Sequence, residues 1–210
     1  MYTPRAFVET DLEALDRLFE RDSFVTLVTA PTGAPFASHL PVIYTRNGDN
    51  VLVEGHWARV NPQTRHPGPA LMIVHGPHAY ISPGWYADKE QASRVPTWNY
   101  AVAHLSGSLE SSEDEAFLAG IVDRLSARHE SALGSDWRYE HDRQSHRSQL
   151  RGITGFRFVP ERIELAFKLS QNHPLANVQG AVTGLQGLDD PQAHEVAGLM
   201  IDHLHRRTHD

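Results

Sequence analysis

Apolar positions recur at helical spacing in three stretches and gather into short β-branched runs between them. Leu12, Leu15, Leu18 and Phe19 share one helical face. Thr10-Asp-Leu-Glu13 before them reads as a capping box, which predicts a helix over about 11–21. Phe24 to Thr29 is rich in β-branched residues and predicts a strand. Pro31-Thr-Gly33 then turns the chain, and a second strand follows over 35–46. Asn47-Gly48 is a hairpin signal, because both residues tolerate positive φ, and it leads into a third strand over 51–54. Further strands are expected over 70–74, over 78–82 after a Gly-Pro break, and over 101–109. Ser112-Glu-Asp-Glu115 is a second capping box, followed by a helical face of Phe117, Leu118, Ile121, Val122 and Leu125. Residues 133–150 are polar with weak helical character. Two last strands are expected over 153–159 and 162–169, separated by Pro160-Glu161. Residues 172–189 show little pattern and read as a loop or linker. Asp190-Pro191 opens a final helix with Val196, Ala197, Met200, Ile201 and Leu204 on one face.

Strands that follow one another through short turns pair antiparallel, and many short strands with hairpin signals suggest a barrel. The expected class is therefore mainly β with flanking helices (α+β). The expected organisation is a barrel domain over 1–171 with a helical insert at about 112–150, a linker over 172–189, and a C-terminal helix over 190–210. With 210 residues the chain holds one good core.

Charge and composition narrow the function. The net charge is −7. A broad electrostatic grip on nucleic acid needs a basic balance, so DNA remains a possible partner that the charge does not support. There is no cysteine, which removes disulfides, thiol catalysis and Cys-ligated metals. No apolar run approaches the ~18–20 residues of a membrane helix. The opening residues carry no apolar leader, and the expected location is cytoplasmic. Only two of the 19 basic residues are lysines, Lys89 and Lys168.

Four stretches carry candidate chemistry. Gly55-His56-Trp57-Ala58-Arg59-Val60-Asn61-Pro62 follows a strand, and two readings stand for it. It is a turn ending in one helical turn, or a loop in which Arg59 offers a planar fork to phosphate, Asn61 a donor and acceptor, and Trp57 a flat wall. His75 to Tyr86 packs two histidines, two tyrosines and a tryptophan into twelve residues, a density that suits a planar heterocycle. His75 and His78 lack a third ligand at familiar spacing, so no metal site is assigned. Val95 to Tyr100 places Trp98 and Tyr100 on one face of a strand, read as an edge strand or a dimer contact. Phe167-Lys168-Leu169-Ser170-Gln171-Asn172 ends a strand with a lysine and a hydroxyl, either solvated or closing on a phosphate. Arg143, Arg147 and Arg151 would share one helical face. His203, His205 and His209 crowd the end of the last helix. No nucleophile elbow, P-loop, zinc-protease or dinucleotide motif is present, and no catalytic residue is assigned.

Taken in order, these stretches resemble the PaiB-type proteins, described as FMN-binding negative transcriptional regulators. The shared signals are Met1-Tyr-Thr-Pro4, Ser38-His-Leu-Pro41, Gly55 to Arg59 with Asn61-Pro62, His75 to Pro83 with Trp85-Tyr86, Val95 to Tyr100, Gly152-Ile153 with Gly155-Phe156, and Phe167 to Asn172. The resemblance implies an antiparallel FMN-binding split β-barrel with an added C-terminal helix. It also implies a homodimer with flavin at the subunit interface. On that reading His56, Trp57, Ala58, Arg59, Asn61, His78, Thr97, Trp98, Asn99, Tyr100, Lys168, Ser170 and Gln171 contact the cofactor. Arg59, Asn61 and Lys168 would face its phosphate, with His56 and His78 near the ring. Trp98, Asn99 and Tyr100 would come from the other protomer. An FMN-dependent oxidoreductase acting on a small molecule is the alternative activity, since flavin chemistry requires no separate catalytic motif.

Overall fold

The computed structural model of the chain describes residues 1–31 and 33–207, so Thr32 of the expected turn and His209 lie outside the described residues. In order, the main elements are β1 (Val8–Glu9), α1 (Leu12–Arg21), β2 (Phe24–Thr29), β3 (Phe36–Asn47), β4 (Asn50–Ala58), β5 (Gly68–Ile81), β6 (Thr97–Ser112), α2 (Glu115–Leu133), α3 (Gln144–Arg147), β7 (Ile153–Lys168), α4 (Leu175–Gln186) and α5 (Pro191–Arg207). The strands lie in the order β1-β7-β4-β3-β2-β5-β6, and β7 also pairs with β6. Six strands therefore close into an antiparallel barrel, and β1 is added outside it on β7. Closure removes the open edges that would otherwise invite aggregation.

Tight packing separates two compact units, and β5, β6 and β7 contribute to both. One comprises Leu12–Val74 and His104–Ile163. Its core is built from Val25, Leu27, Val42, Val53, Trp57, Leu105, Phe156 and Phe158. α1 buries Ala14, Leu15, Leu18 and Phe19, and the Phe19 ring stacks on Tyr44 at 4.1 Å. α2 buries Leu118, Ile121 and Leu125 against the same unit. Pairing of β6 with β7 depends on Gly107. A Cβ there would stand 2.1 Å from the Val159 carbonyl oxygen and 2.7 Å from the Pro160 Cα, both backbone atoms with nowhere to go.

The other unit comprises Met1–Asp11, His75–Ala103 and the chain from Glu164 onward. α4 and α5 form its helical layer, burying Val178, Ala181 and Leu185 on one and Ala193, Val196, Ala197 and Met200 on the other. α4 lies against Trp85 through Gly180 and Gly184, where an added Cβ would meet the Trp85 carbonyl at 2.1 Å and its indole at 2.3 Å.

Several expectations are corrected. Residues 172–189 are not a linker, because α4 occupies Leu175–Gln186. Val178, Ala181, Val182 and Leu185 do stand at helical spacing on its buried face, but Gly180 and Gly184, which abut Trp85, lie among them and weaken the helix signal. Neither proline break interrupts a strand: β5 runs through Gly76-Pro77 and β7 through Pro160. The α2 cap is Asp114, whose carboxylate accepts from the Phe117 N–H at 2.8 Å, two residues later than the capping box placed it. Arg143, Arg147 and Arg151 do not share a helix, since α3 spans only Gln144–Arg147 before a 3-10 turn over Ser148–Gly152.

Gly107→Ala is expected to lower stability by about 1–3 kcal/mol, the range for overpacking a site that cannot relax. Chemical denaturation reads this directly, and an unchanged midpoint would remove Gly107 from barrel closure.

Candidate functional site

The candidate residues fall into two groups, one in each unit. In the barrel-core unit, β4 carries the first group. The strand continues through Gly55, His56 and Trp57 to Ala58, so the stretch read as a turn is a strand end. Gly55 is required there, because a Cβ would lie 2.6 Å from the Phe156 ring. Trp57 is fully buried beside Phe156 at 4.6 Å, and its indole N–H donates to Gln63 at 3.1 Å. It is packed as a core side chain of this unit, fully buried.

The following turn is held by polar bonds. Asn61 accepts from the Gln63 N–H and donates to the Ser38 hydroxyl, both at 2.9 Å. Pro62 then starts a 3-10 turn over Pro62–Arg65. Asn61 is thereby committed to capping. Gln63, which the sequence does not single out, is fully buried. Its amide donates to the Leu27 carbonyl at 3.0 Å, the Thr29 hydroxyl at 3.1 Å and the Phe36 carbonyl at 3.3 Å.

His56 pairs with Gly155 across β4 and β7. A Cβ on Gly155 would meet Phe117 and Leu118 of α2, so His56 belongs to the face that α2 covers. Its Nδ1 is buried without a hydrogen-bond partner among the described residues, and burial lowers its pKa, favouring the neutral ring at pH 7. Ala58 ends the strand in an exposed position. The Arg59 N–H donates to the Gly152 carbonyl at 2.8 Å, and its guanidinium stands 3.5 Å from Glu113. Arg59, Arg147 and Arg151 share the wall of a cavity of about 250 Å³ with Glu113 and Glu115. The last of these pairs with Arg147 at 2.6 Å.

In the other unit, alternation along β6 separates the second group. Asn99 points inward, fully buried, donating to Ser170 at 3.0 Å and to the Met200 sulfur at 3.3 Å. Within this protomer it is an internal brace. Trp98 is 52% exposed and Tyr80 46%. The Trp98 ring lies 5.9 Å from His78 and 6.1 Å from Tyr80, so β5 and β6 present an outward aromatic face, with half-buried Tyr100 on the Trp98 side of its strand. The sequence named every member of that face except Tyr80 as a contact.

Lys168 ends β7. Its Nζ donates to the Thr97 hydroxyl and stands 5.9 Å above the Phe7 ring, and burial lowers its pKa. Ser170 adopts φ 62°, a left-handed conformation uncommon outside glycine. Gln171 folds back on its own strand end, accepting from the Leu169 N–H at 2.6 Å and donating to the Phe167 carbonyl. Its amide is thereby a local cap. His173 stacks on Tyr86 at 4.8 Å, and its Nδ1 is buried with no hydrogen-bond partner among the described residues. Sequence reading passed over His173, whose significance comes only from burial. No helix among the described residues is long and apolar enough to cross a membrane.

Residues 1–162 match the family model described as "Putative FMN-binding domain". The chain belongs to this PaiB-type family. It is 33% identical over 213 residues to the Bacillus subtilis "Protease synthase and sporulation protein PAI 2", covering 99% of this chain and 100% of that one. Among solved structures, the FAD and heme binding protein of Mycobacterium smegmatis superposes with a TM-score of 0.57 at 18% identity, covering 77% of this chain and 73% of the other. The flavocytochrome Anf3 of Azotobacter vinelandii gives 0.57 at 15% identity, with 79% and 72% covered. At these identities the two structures establish the split-barrel fold alone.

The histidine environment sets a pH dependence. A histidine held below its ordinary pKa of 6.5 takes up its proton in the unfolded chain first. Stability from His56 is therefore present above about pH 6.5 and lost as pH falls below it. His56→Gln is expected to flatten the loss of stability between about pH 7 and pH 5, as read by denaturation at each pH. A variant with the wild-type slope would show that His56 is not held neutral.

Proposed function

We propose that this chain is an FMN-binding protein that works as a homodimer with the flavin at the subunit interface and acts in negative regulation of transcription. The observation that carries the reading is the end of β4, inside the family-matched residues. There Arg59 carries a guanidinium on a cavity wall, and three residues earlier His56 keeps a buried nitrogen without a partner. The donor set fits the cofactor. A guanidinium suits a phosphate, a neutral imidazole suits a ring carbonyl or nitrogen, and aromatic faces suit a planar heterocycle.

Arg59 binds the phosphate in this proposal, and His56 orients the ring by hydrogen bonding. His78, Trp98 and Tyr100 of the other protomer cover the ring face. The exposed aromatic surface of β5 and β6 supports a dimer contact, since tryptophan and tyrosine are enriched where protein surfaces meet. Bound flavin supplies hydride and one-electron chemistry of its own. Regulation then follows the state of the flavin or a partner protein. A net charge of −7 gives no support for a broad grip on DNA phosphates.

Arg59→Ala is expected to weaken FMN binding at least tenfold, about 1.4 kcal/mol, while riboflavin binding changes little, as read by flavin fluorescence titration. Equal FMN affinity in the variant would overturn the phosphate role. Fluorescence anisotropy with promoter DNA at physiological salt is expected to show no salt-sensitive binding. Tight, salt-sensitive binding would replace the indirect reading with direct repression. Bleaching of the bound flavin by NADH or NADPH would move the function to an oxidoreductase.

A further inference from the structure

The cavity that holds Arg59 has two walls of different origin. One is the end of β4 and the entry to α2, with Arg59, Glu113 and Glu115. The other is the chain between α2 and β7, with Gln144, Arg147 and Arg151. Both lie in the barrel-core unit.

The second wall is held on loosely. From Gly134 to Gln149 no residue is buried. At the near end Gly134 closes α2 with φ 68°. At the far end Leu150 is buried, and the Gly152 carbonyl accepts from the Arg59 N–H at 2.8 Å. A segment with so few buried apolar contacts lies at the low-stability end of a fold. It nevertheless holds together within itself. The rings of Trp137 and Tyr139 lie 5.6 and 5.8 Å from that of His146, whose Nδ1 accepts from the Glu140 N–H at 3.1 Å. The Tyr139 hydroxyl lies 3.2 Å from the His141 Nδ1.

Its polar ties to the rest of the unit converge on one carboxylate. Glu115 accepts from Arg147 at 2.6 Å and stands 3.6 Å from the His141 Nε2. Among the described residues, no other side chain between 135 and 149 is hydrogen-bonded or ion-paired outside the segment. Arg147 and Glu115 are each about half exposed, so water and salt weaken their pair. A cohesive flap, pinned by a leucine at one end, jointed at a left-handed glycine at the other and tied across by one exposed carboxylate, has the construction of a lid.

We propose that residues 135–149 are a lid over the Arg59 cavity, that Glu115 is its latch, and that its opening admits the flavin phosphate to Arg59. Admission of the phosphate rests on the role proposed for Arg59, whereas the lid itself does not. Closed, the lid supplies one wall of the cavity. Open, it leaves Arg59 on a bare surface. A latch this weak opens on thermal motion, and ligand entry follows the fraction of time that it is open.

Chymotrypsin reads the lid without any ligand, because its preferred residues Trp137 and Tyr139 both lie there. Cleavage of the full chain within 135–149 is expected to be several-fold faster in Glu115→Gln and in Arg147→Gln than in the wild type. Glu113→Gln neutralises a carboxylate on the same wall that pairs with Arg59 and not with the lid, and is expected to leave lid cleavage unchanged. Wild-type cleavage in both latch variants would overturn the latch, and so would cleavage that quickens at every site in the chain alike, which marks unfolding. Stopped-flow mixing with FMN, followed by flavin fluorescence, reads the gate. In Glu115→Gln, association and dissociation are expected to quicken together, several-fold each, with little change in affinity. Association that quickens while dissociation slows would make Glu115 a repulsive group on the wall and overturn the latch. Faster lid cleavage in a protein that never binds FMN would uphold the lid and overturn the phosphate role of Arg59.

Discussion

The buried carboxamide of Gln63 ties three strands to the turn that carries Arg59. Its oxygen takes the Trp57 indole proton at the end of β4, and its nitrogen reaches two groups on β2 and the first carbonyl of β3. A buried amide left without such partners costs about 1–3 kcal/mol, so the network is satisfied as a whole or not at all. The turn from Arg59 to Asn61 has little freedom once Gln63 is placed. Barrel closure is the second constraint. It places backbone against backbone at Gly107, where no side chain fits.

Regular elements with one apolar face were legible in the sequence. α1, β2, β3 and the α5 face read directly, because their buried positions follow the helix or strand period. What escaped was structure organised by close approach. α4 touches Trp85 through Gly180 and Gly184, and these glycines masked the helical spacing of Val178, Ala181, Val182 and Leu185. β5 and β7 continue through prolines that local rules treat as breaks. Long, twisted barrel strands accommodate such residues where the ladder does not need their N–H.

The candidate site was legible as residue types and less so as roles. Arg59 and Lys168 stand on cavity walls, and His78 and Trp98 lie on an exposed face. Trp57, Asn61, Asn99 and Gln171 turn out to be committed to the fold through core packing or local hydrogen bonds. Tryptophan and asparagine are equally plausible in a core and in a binding site, and only the tertiary partners separate the two. Gln63 and His173 carry no signal in a single sequence, because their importance comes from burial.

The central claim is that this chain binds FMN. A fluorescence and absorbance titration of the purified wild-type protein with FMN, against a flavin-free control, tests it most directly. The account predicts saturable binding at micromolar affinity or tighter, with quenching or a shifted flavin spectrum as the ring enters an aromatic site. A titration that never saturates, with the spectrum of free flavin throughout, would contradict it.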